Sequence, residues 1–275
     1  MAKRHLRWET VVSLLILLII VAAFMAPLFY MVLTSFKTAE DIVKSPLSFN
    51  FKPTLKNWNE LLKMPDLPVS IRNSLIYMGT VVPLVALIGS LAAYAESRFG
   101  IWRGNFRLLI LSTNMVPSIA ISLALYHYAL QIHMQGSPIF LIMVYTAINT
   151  PSFFLIALSG FNAIPREIEE AAFIDGCSTI ETFLRISLPL AAPALAAATI
   201  IAAVNVWNEF MIGLILTTAQ TRTVAVFAAS TLGYMEIYWG KVAATGTLLV
   251  IPPVLLGVWA QRYLVKGFMA GAVKA

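Results

Sequence analysis

Hydrophobic residues in this chain fall in long unbroken runs, without the alternation of a strand or the single apolar stripe of a surface helix. Thr10 to Phe36 is a run of 27 residues with no Asp, Glu, Lys or Arg, and Asn73 to Ala95 is another of 23. About 20 apolar residues suffice to cross the hydrocarbon of a bilayer as an α-helix, so each run predicts a span. The 58 residues between Arg107 and Arg166 also lack these charges, and the polar cluster Gln131, His133, Gln135, Gly136, Ser137 and Pro138 divides them into two spans. From Ile186 to Thr221 the only charge is Glu209, and from Val242 to Gln261 there is none. The pattern predicts an all-α integral membrane protein, one transmembrane domain over 1–275 with six spans near 11–35, 72–95, 108–130, 138–162, 189–217 and 242–261. A loop at 36–71 and another at 163–188 connect them on opposite sides. The apolar piece Thr223 to Met235, 13 residues long, is too short to cross and reads as a re-entrant or surface segment packed on protein. Lys3, Arg4 and Arg7 precede the first run as they would in a secretory signal, but its length and the lack of a small-residue cleavage site predict a retained anchor.

Composition agrees with a lipid solvent: 59% of the 275 residues are hydrophobic, 12% are charged, and the mean hydropathy is +0.82. The net charge of +6 is mainly a topology signal. With both termini inside, the cytoplasmic segments hold eleven Lys and Arg (Lys3, Arg4, Arg7, Arg98, Arg103, Arg107, Arg166, Arg185, Arg262, Lys266, Lys274) against eight outside. Six of those eight lie between Phe36 and Asn73, where Glu40, Asp41, Glu60 and Asp66 offset them, so the short loops favour cytoplasmic termini. No basic stripe with interleaved aromatics suggests a nucleic-acid partner. The single cysteine, Cys177, forms no internal disulfide, and no Cys/His cluster suggests a metal. His5, His127 and His133 show no ligand or triad spacing, and no acidic pair lies inside a span, so an integral membrane enzyme has little support.

The loop at 163–188 carries the most local information. Pro165 suits a first helical position, and Glu167, Glu169 and Glu170 complement the positive end of a helix dipole. Asp175-Gly176 predicts a stop, and Ser178 followed by Glu181 predicts a capping box that starts a second short helix. Ile168, Ala171, Ala172 and Ile174 give the first helix an apolar side suited either to docking in a groove of a soluble partner or to lying on the membrane surface.

Within this loop, Glu170-Ala171-Ala172, three residues, Gly176, nine residues, Ile186, one residue and Leu188-Pro189 resemble, position by position, the EAA motif of permease subunits of bacterial ABC importers. Cys177 stands where members often carry Ala. Arg72-Asn73-Ser74-Leu75, Ala92-Ala93-Tyr94-Ala95, Trp207-Asn208-Glu209-Phe210, Gln261-Arg262-Tyr263-Leu264-Val265-Lys266-Gly267 and Ala270-Gly271-Ala272-Val273-Lys274 are similar to carbohydrate-importer permeases of the maltose-transporter type, in particular the smaller, six-span one. The resemblance covers roughly residues 10 to 275 and implies the type I ABC importer permease fold in a bacterial inner membrane. It implies that the loop is a coupling helix in which Glu169, Glu170, Ala171, Ala172, Asp175 and Gly176 meet an ATPase subunit. The partners it implies are a second homologous permease, two ATPase subunits and an extracytoplasmic sugar-binding protein, with surrounding membrane lipid. ATP and Mg would be handled by the ATPase subunits, this chain binding no cofactor.

The absence of G-x-x-x-x-G-K-[ST] fits that division of labour. A proton- or sodium-coupled carrier would carry several ionisable groups in its spans, and only Glu209 qualifies. In span five, Asn205, Asn208 and Glu209 share a helical face, which predicts either pathway lining or bonding to a neighbouring helix. Trp207 is a candidate for stacking on a sugar ring. Asn114 with Pro117, and Asn149 with Thr150 and Pro151, are candidate bends or pathway points, but membrane helices often carry such prolines for packing alone, and packing is the favoured reading. The alanines from Ala191 to Ala203 predict close helix contact with the partner permease. The 36–71 loop is expected either to meet the binding protein or to be solvated, with Trp58 as an interfacial anchor. A permease for amino acids, peptides or anions is the alternative, since these also carry EAA-like loops, and the sugar itself stays open.

Overall fold

The structure, a computed structural model, describes residues 8–100, 105–232 and 238–272. Lys3, Arg4, His5, Arg7, Arg103 and Lys274 lie outside the described residues, as does the end of the Thr223–Met235 segment; so do the side chains of the Gln261–Gly267 motif. Thirteen α-helices make up the described chain: α1 (Trp8–Ser35), α2 (Ala39–Lys44), α3 (Lys56–Leu62), α4 (Asp66–Phe99), α5 (Asn105–Thr113), α6 (Ser118–Gln131), α7 (Pro138–Asn162), α8 (Arg166–Ile174), α9 (Thr179–Thr182), α10 (Leu188–Asn208), α11 (Met211–Leu216), α12 (Val224–Ser230) and α13 (Trp239–Ala272). A π-helical turn, Phe183–Ser187, joins α9 to α10. No strand occurs among the described residues.

Among the described residues, five helical stretches are long and apolar enough to cross a membrane: Thr10–Ser35, Asp66–Phe99, Pro138–Asn162, Thr179–Asn208 and Trp239–Trp259. The span expected at 108–130 is instead two helices, α5 and α6, interrupted at Asn114–Pro117. Pro117, with ψ 132°, sits in extended backbone and starts α6. The span expected at 189–217 also breaks: Glu209 is extended, with ψ 117°, between α10 and α11. α7, by contrast, runs through Pro151. Asn149 Nδ2 donates to Tyr145 O at 2.8 Å and Thr150 Oγ1 to Thr146 O at 2.7 Å, adding bonds beside the carbonyl that the proline leaves without its N–H.

The chain forms two compact units. In the larger (Pro65–Phe227 and Pro252–Ala275), α4, α7 and α10 pack around Tyr77, Val81, Val85, Tyr145, Phe154 and Phe161. Small residues permit the close approach: a Cβ on Gly89 would collide with the Phe153 ring, and one on Gly160 would meet the Ala194 methyl. Ala191, Ala198, Ala202 and Ala203 are buried within this chain. These four let α10 close on its own neighbours, whereas Ala192 of the same stretch is exposed. At the far end from α8, the Asn73 carboxamide donates to Gln220 O (2.8 Å) and Arg222 O (3.1 Å), Tyr77 donates to Thr221 O, and Val224 N donates to Ser74 Oγ. Arg222 pairs with Asp66, so the start of α4 clamps the 218–224 segment.

In the smaller unit (Met1–Met64 and Ala228–Ile251), the 36–71 loop is largely a folded cap on the end of α1. Lys37 is 1% exposed; its Nζ donates to Pro46 O at 2.7 Å and faces the rings of Tyr30 and Phe51. Asn57 Nδ2 donates to Ser35 O and Lys37 O, and Trp58 Nε1 donates to Ser35 Oγ. Trp58 is therefore anchored to protein at its polar tip. Gly246 lies against Met31, and Lys241 pairs with Glu60 at 3.3 Å.

Candidate functional site

The 163–188 loop folds as helix, turn, helix. Pro165 caps α8 from an extended conformation, one residue earlier than its expected place inside the helix. α8 closes with Cys177 N donating to Ala172 O and Gly176 N to Phe173 O, in the bonding pattern that requires a left-handed residue; Gly176 supplies it at φ +90°. Ser178 and Glu181 form the capping box: Glu181 N donates to Ser178 Oγ at 3.3 Å and Ser178 N to Glu181 Oε2 at 3.0 Å.

α8 has two faces, and they divide the six residues singled out in the sequence. Glu170, Ala171, Asp175 and Gly176 are exposed, beside Ile168, Phe173 and Ile174, the last 87% exposed. Glu169 and Ala172 face inward, Glu169 being 4% exposed. Arg98 Nε, in the last turn of α4, lies 2.8 Å from Glu169 Oε2. Ser187 Oγ, in the π turn, donates to Oε1 at 2.6 Å, and Tyr94 OH donates to Oε2 at 3.4 Å. Arg98 Nη2 donates in turn to Phe161 O (3.1 Å) and Ile164 O (3.4 Å) at the end of α7. Arg166 Nη2 donates to Ser97 O, and the Tyr94 ring packs between Phe161 and Phe183 at 5.5 and 4.8 Å. A buried ion pair is held less by its own attraction than by the penalty of leaving one charge alone, roughly 3–5 kcal/mol. That Arg98, Tyr94 and Ser187 meet at Glu169 is not readable from local periodicity, because Arg98 and Tyr94 lie more than seventy residues away along the chain and Ser187 lies beyond the turn and α9; an Arg near a helix C-terminus is the one local hint.

Beside this pair a cavity of about 160 Å³ is bordered by Phe99, Arg166, Glu170 and Phe173. It opens next to the exposed edge of α8.

The polar residues expected along a pathway do not form one cluster. Asn205 and Asn208 are exposed on α10, whereas Trp207 is 2% exposed. Glu209 leaves the helix before it can share their face. Its carboxylate accepts from Ile212 N and Gly213 N, both at 3.1 Å, and from Tyr145 OH at 3.1 Å, so it caps α11. Tyr145 also accepts, at its carbonyl, the bond from buried Asn149. Asn114, at the α5–α6 break, accepts from Ser152 Oγ at 3.0 Å. No group of three His, Cys, Asp or Glu among the described residues is arranged to hold a metal ion.

Residues 86–269 match the family described as binding-protein-dependent transport system inner membrane component. Among relatives, the trehalose/maltose transport system permease protein MalG of Thermococcus litoralis is 36% identical, the alignment covering 94% of this chain and 96% of MalG. The sulfoquinovosyl glycerol transport system permease protein SmoH of Agrobacterium fabrum is 30% identical over 90% of this chain and 88% of SmoH. In fold, a chain of a bacterial ABC transporter involved in the import of the acidic polysaccharide alginate superposes with a TM-score of 0.78 at 18% identity, covering 96% of this chain and 99% of that one. The family match runs from within α4 to within α13 and includes the loop between α7 and α10, and the chain belongs to the inner-membrane-component family of binding-protein-dependent transport systems.

Proposed function

We propose that this chain is one of two permease subunits of an ATP-driven importer for a sugar or sugar derivative, forming half of the translocation pathway and performing no catalysis itself. Substrate arrives on an extracytoplasmic binding protein; two ATPase subunits bind and hydrolyse ATP with Mg; the second permease is a paralogue; and both termini are cytoplasmic. The sugar class is supported by the relatives, whose names span a neutral disaccharide and a sulfonated glycoside. The observation that carries the coupling role is the division of α8 into a buried face and an exposed one. Glu170, Ala171, Phe173, Ile174 and Asp175 present an acidic and apolar surface left uncovered by the described residues, followed by a glycine turn. In the proposed complex this surface sits in a cleft of the ATPase. Glu170 makes charge-assisted contacts there, and the turn at Gly176 brings backbone close to the partner.

The test is co-purification. The tagged chain is expressed with its chromosomal neighbours and purified in mild detergent, and its stoichiometric partners are identified by mass spectrometry. Recovery of an ATPase dimer and a second permease is expected, with the ATPase lost from Glu170→Lys. A chain that purifies alone, or retains the ATPase despite the substitution, overturns the reading.

Within the membrane, Asn205 and Asn208 are the pathway residues this proposal favours. They are exposed polar groups on a helix in an apolar solvent, a placement that calls for water or a partner. Glu209, Trp207, Asn149 and Asn114 act on the pathway indirectly, by shaping the helices around it.

A further inference from the structure

Glu169 stands next to the residue proposed to dock on the ATPase, yet it points the other way. All of its contacts are internal: Arg98 at 2.8 Å, Ser187 at 2.6 Å and Tyr94 at 3.4 Å. The elements it reaches are the end of α4 through Arg98 and Tyr94, the end of α7 through the Arg98 bonds to Phe161 O and Ile164 O, and the entry to α10 through Ser187. These are the three helices that build the core of the larger unit. One carboxylate thus ties a nine-residue surface helix to three spans at once.

The attachment to α10 is made at a π-helical turn, Phe183–Ser187, where Ser187 Oγ also lies 3.4 Å from Thr182 O. An extra residue in a turn widens it and interrupts the regular ladder, and such turns are frequent at functional sites. Covalently, α8 is joined to α7 and α9 only through short turns, and neither its length nor its exposed face holds it against the spans.

We infer that Glu169 is a positioning residue for energy coupling: with Arg98 and Ser187 it forms a buried joint that makes α4, α7 and α10 follow α8, without touching the ATPase. This rests on the coupling function proposed above. A change of Glu169 therefore uncouples the machine while leaving it assembled, whereas a change of Glu170 disassembles it.

The experiment uses the whole importer in lipid nanodiscs, with Cys177→Ser and a single reporter at Ile201→Cys, an exposed α10 position outside the joint and the docking face, carrying an environment-sensitive fluorophore. Mg-ATP with orthovanadate is added and the fluorescence change is read beside the ATPase stoichiometry. In the parent, ATP changes the signal. In Glu169→Gln the ATPase stays bound and the change falls by about fivefold or more, the span of an allosteric coupling. Glu169→Asp, which keeps the charge, retains at least half of the change, which a merely destabilised chain would not distinguish from Glu169→Gln. A full response in Glu169→Gln, loss of the ATPase from it, or a response in Glu169→Asp no larger than in Glu169→Gln overturns the joint. If Glu169→Gln does not accumulate, Ser187→Ala, which removes a single hydroxyl, is read in its place, with a full response again overturning the inference. An ATPase-bound parent that gives no response to ATP sinks the coupling function itself, and so fails separately from the variants.

Discussion

Glu209 illustrates how a residue that stands out in the sequence can owe its prominence to local structure. As the only charge in its span it invited a pathway role, yet its carboxylate is occupied by two backbone N–H groups of α11 and the Tyr145 hydroxyl. A charge inside a membrane protein persists when its acceptor sites are filled, and here the break in the helix supplies the donors. Tyr145→Phe removes one donor without changing shape, and is expected to lower unfolding stability in detergent by about 1–3 kcal/mol, measured by denaturant titration; an unchanged midpoint would mean that water replaces the hydroxyl. At this scale, what depends on near neighbours was legible. The capping box at Ser178 and Glu181 and the left-handed stop at Gly176 follow from residues within a few positions. The Arg98–Glu169 pair was not legible, since it depends on how α4 and α8 meet.

Among the elements, apolar length located the helices well and misjudged their continuity. A run such as 108–130 reports its preference for hydrocarbon, not whether its backbone bonds are unbroken, so apolar length alone shows neither the interruption at Asn114–Pro117 nor the one at Glu209–Phe210. Pro117 did signal the first, while Pro151, chemically its equal, sits in a continuous helix because Asn149 and Thr150 bond the preceding turn. Packing between elements turns on small residues. Gly89 and Gly79 lie on the same helix, but a Cβ on Gly89 would collide with the Phe153 ring and one on Gly79 would meet nothing within 4 Å. Gly89→Ala is expected to destabilise the α4–α7 contact by roughly 1–3 kcal/mol, and Gly79→Ala to be neutral or slightly stabilising. Equal effects in a thermal unfolding assay would show that α7 yields to the added methyl.

For the whole molecule, charge-free runs and loop charges indicated the class, and the exposed surfaces indicate what the chain lacks alone. The Thr10–Ser35 helix is without buried residues in its most apolar stretch, and Asn205 and Asn208 face outward from α10. Such surfaces await lipid or another subunit. Asn208→Leu is expected to leave the ATPase and second permease bound while slowing uptake of the natural substrate in cells; loss of the partner permease would instead make Asn208 an interface residue. The folded cap after α1 has a use of its own as a reporter of membrane sidedness. Lys37 is enclosed by Pro46, Tyr30 and Phe51, whereas Lys44 and Lys56 stand in the open. Trypsin applied to spheroplasts should therefore nick the chain after Lys44 and Lys56 and spare Lys37 for as long as the cap stays folded. The same nicks appearing only in inverted vesicles would turn the assigned orientation around.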